Sequence, residues 1–330
     1  MTEAGKPLVV VCGTIHSAGL EILRAATTVV TPDELTAEGV IAIGREAEAL
    51  LVRSQPSITD SLMTALKKLK CVARHGVGID NVDVAAATRL GLPVLHTPGQ
   101  NADAAAEHTI MLMLAVTKRL ILLDARTRKG EWGADRFSGI GDLHGLTLGI
   151  IGVGNIGRRV AHIAAAFGME VLGYDPYVRP DELRRRGAEP VAKLPMLLRK
   201  ADIVTCHCPL TPETQHLISG KTIDGMKENA ILINTSRGPV VDEQALYSAL
   251  VSKKILAAGL DVWEEEPNPA TNPLLSLDNV VCTPHVAGVS ERAQRNIATY
   301  IANDIVRVLR GEQPLVVANP EVLPKLAHLK

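Results

Sequence analysis

Aromatic side chains are nearly missing from this sequence, with two Phe, two Trp and four Tyr in 330 residues. Any core must therefore be aliphatic. Long apolar runs are lacking too. The N-terminal MTEAGKPLVVVCGT holds only a short one, and no segment reaches the roughly 18 uninterrupted apolar residues that a membrane-spanning helix needs. The chain is expected to be soluble and unexported, so the glycosylation-like Asn234-Thr235-Ser236 is read as an accident of composition. Nor is there an excess of one charge. Lys and Arg number 35 against 36 Asp and Glu, which leaves no sequence-wide attraction to nucleic acid or an anionic membrane. Any cation with a task must work locally. The five cysteines, Cys12, Cys71, Cys206, Cys208 and Cys282, are odd in number, scattered and mostly within apolar runs. That usage suits buried thiols in a reducing, cytoplasmic setting. Fixed short repeats are absent, and low complexity is confined to Ala-rich helical stretches.

What is present is alternation. Residues 8 to 100 read as strands separated by helices: LVVVCG, a helix near 17 to 26, ALLVRS, ITDSLMTALKKL as helix, CVARHG, VDVAAATRLG as helix, then PVLHTP. This pattern predicts a parallel sheet covered by helices. A Pro-Gly break at TPGQN ends the series, and a long helical segment is expected from about Ala102 to Lys129. The alternation restarts at LTLGIIGVGNIG and continues through EVLGYD, DIVTCHCP, AILINTS, ILAAGLDV and NVVCTP. Near the end, Ile297, Ile301, Ile305 and Leu309 have helical spacing and predict a helix that returns to the first unit. The expected fold is α/β with two doubly wound parallel-sheet domains. The second is inserted into the first, with boundaries at 1–101, 102–289 and 290–330.

The strongest local signal is GVGNIG, which follows an apolar strand and precedes a helical stretch. Gly152 would allow the tight turn, Gly154 the approach of a pyrophosphate, and Gly157 close packing of helix on strand. The helix N-terminus would supply unpaired N–H groups and partial positive charge. Asp175 ends the next strand, where a carboxylate accepts hydrogen bonds from an adenosine ribose and repels a 2′-phosphate. NAD is thus expected over NADP, with nearby Arg179 leaving NADP open. Arg237, Glu266 and His285 follow the ends of three later strands, the edge of an open α/β sheet where ligands bind. A guanidinium offers a planar fork to a carboxylate, a His exchanges protons near neutral pH, and a Glu can orient the imidazole. With a nicotinamide cofactor, that set suits oxidation of a 2-hydroxy acid. Cys206-His207-Cys208 looks like a metal clip but lacks a second ligand pair at a usual spacing, so no metal is expected.

GVGNIG with Asp175, HCPLTPET, LINTSRGPVVDEQAL, AGLDVWEEEP and TPHVAGVS together resemble the D-isomer-specific 2-hydroxyacid dehydrogenase family over nearly the whole chain. The resemblance implies a Rossmann NAD-binding domain inserted into a flavodoxin-like substrate-binding domain, a cleft between them, and dimers built largely on the NAD domain. It implies that Arg237 holds the substrate carboxylate and keto oxygen, that His285 is the general acid/base, and that Glu266 hydrogen-bonds His285. Cofactor contacts are implied for Asn155, Ile156, Asp175, Cys208, Thr235, Ser236, Asp261, His285 and Gly288, with Asp261 accepting from the nicotinamide amide. LVRSQPSIT, VARHGVGIDNVD and HTPGQNADAAAEHT resemble the phosphoglycerate dehydrogenase branch. That likeness implies substrate contacts from the backbone of Val77 and Gly78 and from Asn101, with Arg53 and Arg74 available for an anionic group at the substrate's far end. Val77 stands where phosphite-oxidising relatives carry Lys, which argues against that activity. A C-terminal regulatory domain with serine feedback is not expected. 3-Phosphoglycerate, hydroxypyruvate or glyoxylate, and sulfolactate all remain open as substrates, as does a corepressor-like protein that senses NAD on the same fold.

Overall fold

The computed structural model describes residues 5–133 and 138–326. The chain divides into two compact units, one formed by Met1–Asn101 with Ser290–Lys330, the other by Ala102–Val289. Each has its own parallel sheet.

In the first unit the strands are β1 (Leu8–Cys12), β2 (Thr28–Val30), β3 (Ala49–Val52), β4 (Cys71–Arg74) and β5 (Val94–Leu95). Their order is β2-β1-β3-β4-β5, all parallel. Continuous apolar runs such as LVVVC and ALLV form strands here because both faces of the sheet are covered. One face packs Val10, Leu50, Val52 and Val72 against Leu62 and Val40. The other packs Val9, Val11, Leu51 and Ala73 against Leu23, Ala298, Ile301 and Ile305. Complete burial of each such side chain contributes roughly 1.5–3 kcal/mol. Ala298, Ile301 and Ile305 belong to the helix Glu291–Leu309, started by the Ser290 hydroxyl, which accepts from Ala293 N at 3.1 Å. The returning helix meets Ser17–Ala26 so closely that a Cβ on Gly19 would lie 2.6 Å from the Ala298 carbonyl oxygen. The chain then runs back to the sheet edge, where buried Asn319 accepts from Val94 N at 2.9 Å and donates to Leu92 O at 2.9 Å.

In the second unit the strands are β6 (Thr147–Ile151), β7 (Glu170–Tyr174), β8 (Glu189–Pro190), β9 (Ile203–Cys206), β10 (Ile231–Asn234), β11 (Ala257–Leu260) and β12 (Val280–Cys282). Their order is β12-β11-β10-β9-β6-β7-β8, also all parallel. The winding reverses between β6 and β9, so the topological switch point, where doubly wound sheets bind ligands, lies at the glycine-rich turn after β6.

Both parallel sheets and the returning helix agree with the sequence reading. The helical segment expected from about Ala102 to Lys129 is present but broken in two. Helices Ala102–Thr117 and Leu120–Arg128 are separated by Arg119, which has a left-handed φ of 53°. The break is held from outside, since Arg119 Nη1 donates to Ser138 O at 2.8 Å and Gly141 N to Thr117 O at 3.0 Å. The short strands β2 and β8 carried too few residues to show a period. No helix among the described residues is long and apolar enough to cross a membrane.

Candidate active site

One row of paired residues crosses the second sheet: Tyr174, Ile151, Cys206, Asn234, Leu260 and Cys282. Each is the last residue of its strand. Asp175 and Gly152 follow the row by one residue, Cys208 by two, Arg237 and His285 by three, and Asp261 by one. Strand alternation therefore delivers these groups to one edge of one sheet.

The glycines of GVGNIG differ in what surrounds them. Gly152 has φ +88° and a Cβ there would lie 2.8 Å from Cys208 N. A Cβ on Gly157 would lie 2.2 Å from the Gly152 carbonyl oxygen, so only Gly lets the helix Asn155–Ala166 sit this close to β6. Gly154 is unlike either. Its φ is −79° and a Cβ there would meet no atom of the described residues within 4 Å, so none of them demands glycine. It is the N-cap of that helix and supplies no capping side chain, which leaves the first-turn N–H groups of Asn155 and Ile156 directed outward. A shallow cradle beside free N–H groups fits a dinucleotide pyrophosphate. Asp175 accepts from Val153 N and from Tyr177 N, each at 3.0 Å, which ties its carboxylate to the glycine turn and leaves lone pairs for ribose hydroxyls. Burial pushes the Cys208 thiol up to about 11, so it meets this edge as a neutral group.

The turn after β10 is stitched by Asn234, which the sequence reading did not single out. Its Oδ1 accepts from Ser236 N at 3.1 Å and Ser236 Oγ at 2.8 Å, and its Nδ2 donates to Arg237 O at 2.9 Å. Asn ahead of a Ser-Arg-Gly turn is the available signal, because Asn bonds its own backbone two residues on. Gly238 is obligatory for a different reason: a Cβ there would overlap the Trp263 carbonyl at 1.8 Å. Arg237 Nη1 donates to Ser236 O at 2.7 Å.

Glu266 and His285 are hydrogen-bonded to each other. His285 Nδ1 lies 2.6 Å from Glu266 Oε2, and because a carboxylate only accepts, Nδ1 carries the proton, on a side chain that is 45% exposed. Glu266 Oε1 accepts from Trp263 N at 3.1 Å. Burial alone would lift the Glu266 carboxyl, but the hydrogen bond from His285, the Trp263 N–H, and the charges of His285 and Arg237 outweigh it. The group ends below the ordinary carboxylate value. Arg237, Glu266 and His285 are thus neighbours in one electrostatic cluster.

Asp261 is fully buried, and its side chain clamps the loop that carries His285. Oδ1 accepts from Thr283 Oγ1 at 2.6 Å and Val286 N at 2.9 Å, Oδ2 from Ala287 N at 2.8 Å, and the backbone oxygen from His285 N at 2.7 Å. The role the structure shows for this carboxylate is holding that loop, which also contains Gly288. Thr235 is buried with its hydroxyl 2.9 Å from that of Thr109. Among the described residues no cluster of three or more His, Cys, Asp or Glu suits a metal.

The first unit carries its own polar group at the strand ends. Val52 pairs with Arg74, which sets Arg53 beside His75. Arg53 Nη1 donates to Thr14 O at 3.2 Å and Arg74 Nη1 to His75 O at 2.8 Å. Gly76 has φ +149°, and any Cβ there would collide with Arg74 Nη1. The N–H groups of Val77 and Gly78 are not spent on hydrogen bonds among the described residues, whereas Val77 O accepts from His96 Nδ1 at 3.1 Å. Asn101 Oδ1, Thr97 Oγ1 and His75 Nε2 are buried without a hydrogen-bond partner among the described residues. Burial, with the charges of Arg53 and Arg74, lowers the His75 imidazole to about 4. His75 also escaped the sequence reading, because a lone His after an apolar strand carries no signal of its own.

A doubly wound sheet with a glycine cradle at its switch point carries, along the same edge, the carboxylate of Asp175 and the cluster of Arg237, Glu266 and His285, which is the arrangement of a dinucleotide-binding domain. Residues 110–287 match the NAD binding domain of D-isomer specific 2-hydroxyacid dehydrogenases, and the chain belongs to that family. It is 43% identical to the D-3-phosphoglycerate dehydrogenase of Methanocaldococcus jannaschii over 98% of this chain and 62% of that protein. It is 38% identical to the glyoxylate reductase of Thermofilum pendens over 96% of both chains. Among solved structures, the NADPH-dependent glyoxylate/hydroxypyruvate reductase of Sinorhizobium meliloti, in complex with NADP and malonate, superposes with a TM-score of 0.86 at 29% identity. That match covers 96% of this chain and 98% of the other. The chain spans only about half to three fifths of the length of the phosphoglycerate dehydrogenases that it matches.

Proposed function

We propose that the protein is an NAD-dependent dehydrogenase that interconverts a small 2-hydroxy acid and its 2-keto acid, with a phosphoglycerate-like or hydroxypyruvate/glyoxylate-like substrate. The observation that carries this reading is the His285 to Glu266 hydrogen bond of 2.6 Å beside Arg237 on the edge that holds the glycine cradle. NAD(H), when bound, supplies or takes up the hydride. Arg237 grips the substrate carboxylate and polarises the carbonyl. His285 Nε2 gives a proton to the carbonyl oxygen in reduction and takes it back in oxidation. Glu266, ionised, steadies the cationic imidazole through Nδ1–H. Asp175 favours NAD over NADP by disfavouring a 2′-phosphate. Arg53, Arg74, the N–H groups of Val77 and Gly78, and Asn101 belong to the substrate-binding unit. Their two guanidiniums favour a substrate with a second anionic group.

A homodimer built on the second unit is part of the same reading. The helix Leu120–Arg128 contains no buried residue and exposes Leu120 and Ile121 by 54% and 60%, an apolar face that a second copy would cover. A cytoplasmic location is supported by five free cysteines, three of them buried.

The test is a spectrophotometric panel of NADH and NADPH against phosphohydroxypyruvate, hydroxypyruvate, glyoxylate and sulfopyruvate. NADH is expected to outperform NADPH on at least one acid. Arg237→Ala should cut kcat/KM strongly with little change in NADH affinity, and His285→Ala should lower turnover by about 10² to 10⁴-fold. Normal rates in either variant would refute the roles. Tight NADH binding with no turnover on any acid would overturn the enzyme reading in favour of a sensor.

A further inference from the structure

Arg237 and His285 stand on separate loops, and their spacing needs a common support. We propose that His108 and Thr109, adjacent residues of the helix Ala102–Thr117, are positioning residues that set this spacing. The inference rests on the roles just given to Arg237 and His285.

Thr109 Oγ1 lies 2.9 Å from Thr235 Oγ1, two residues before Arg237. His108 Nε2 lies 3.0 Å from Thr283 Oγ1, two residues before His285. The direction of every bond follows from the far partners. Thr109 donates its only hydroxyl proton to Ala105 O at 2.7 Å, so Thr235 must donate to Thr109. Thr283 donates to the Asp261 carboxylate at 2.6 Å, so His108 must donate from Nε2–H to Thr283. Two relays of fixed polarity therefore leave one helix and end beneath the two loops.

The helix is a rigid base for them. Ala105, Ala106, Ile110, Leu112 and Met113 are buried, and of the polar pair, Thr109 is fully buried and the His108 side chain is 15% exposed. Polar groups in such a position cost free energy unless bonded, and each finds a partner in a site loop. Rigid support is needed because His285 has a left-handed φ of 54°, which a non-glycine residue holds only when its surroundings enforce it. Asp261 enforces it through the N–H groups of Val286 and Ala287, and Thr283 and His108 hold Asp261 in turn. A reacting group displaced by about 1 Å can lose on the order of 10²-fold in rate.

The experiment compares the full-length wild type with His108→Leu, His108→Gln, Thr109→Val and Thr109→Ser. His108→Leu and Thr109→Val are expected to lower kcat about tenfold or more with NADH affinity within threefold of wild type. His108→Gln, which keeps an N–H donor, and Thr109→Ser, which keeps the hydroxyl, should restore most of the rate. Hydrogen exchange provides a readout independent of turnover. The Val286 and Ala287 amides should exchange about tenfold faster in His108→Leu and at the wild-type rate in His108→Gln. Unchanged kcat and unchanged exchange in His108→Leu would overturn the proposal, as would equal losses in the Leu and Gln variants. A wild type inactive on every acid would instead sink the dehydrogenase reading, and the exchange rates would still decide whether His108 holds the loop.

Discussion

Gly154→Ala and Gly157→Ala should fail in opposite ways. At Gly157 the added methyl would stand 2.2 Å from a backbone oxygen of the same turn, so the helix Asn155–Ala166 must move away from β6. Overpacking of this kind typically costs about 1–3 kcal/mol, roughly 2–10 °C in Tm for a unit of this size. At Gly154 the methyl meets no atom of the described residues within 4 Å and φ is negative, so the fold should lose only the few tenths to about 1 kcal/mol that separate Gly from Ala at an N-cap. It would, however, project into the space beside the first-turn N–H groups. If a pyrophosphate is held there by two charge-assisted hydrogen bonds worth roughly 1.5 kcal/mol each, losing them costs about 3 kcal/mol, a hundredfold in Kd. Thermal unfolding without cofactor and NADH fluorescence titration separate the two effects. Gly154→Ala should keep its Tm to within a few degrees and bind NADH about a hundredfold more weakly. Gly157→Ala should show the larger fall in Tm. Wild-type NADH affinity in Gly154→Ala would refute the pyrophosphate cradle, whatever the stability result.

Two further expectations concern stability and assembly. The His75 imidazole titrates at about 4 in the fold and near 6.5 in an unfolded chain. The unfolded state therefore takes up a proton first as pH falls, and stability is lost between roughly pH 6.5 and 4. By pH 4.5 the loss attributable to His75 is about 2–3 kcal/mol. Urea unfolding at pH 7 and pH 4.5 should show this loss in wild type and not in His75→Leu, and an identical pH response in both would exclude His75 as the source. Ile121→Glu puts a charge on the exposed face of Leu120–Arg128, and light scattering should find a dimer in wild type and monomer in the variant; a wild-type monomer would refute the dimer.

Much of this architecture was readable because parallel strands covered on both faces announce themselves as unbroken aliphatic runs. TLGII, IVTC, ILIN and AAGL each end where the run ends, and a doubly wound sheet places its ligand groups just beyond that point. Asp175, Arg237 and His285 could thus be named as candidates from residue type, and the structure places them one to three residues past strand ends. The break at Arg119 could not. VTKRLILLDARTRK favours helix throughout, and the turn is imposed by Ser138 and Gly141 from a later segment.

The supports of the site were hidden for the same reason. His108 sits in AAAEHTIMLMLAV, where the short polar run Glu107-His108-Thr109 on an otherwise apolar helix reads as an exposed stripe or a tolerated flaw. Its meaning lies in Thr283, 175 residues away, and that of Thr109 in Thr235, 126 residues away. Residues that perform chemistry must be particular types at particular strand ends, which is a local constraint. Residues that position them need only offer one donor or acceptor at the right point in space, and many types on many elements meet that demand. A sheet edge therefore exposes its reacting groups to inspection while concealing the helix that aligns them, and the helix becomes legible only once β10, β11 and β12 are seen lying side by side beneath it.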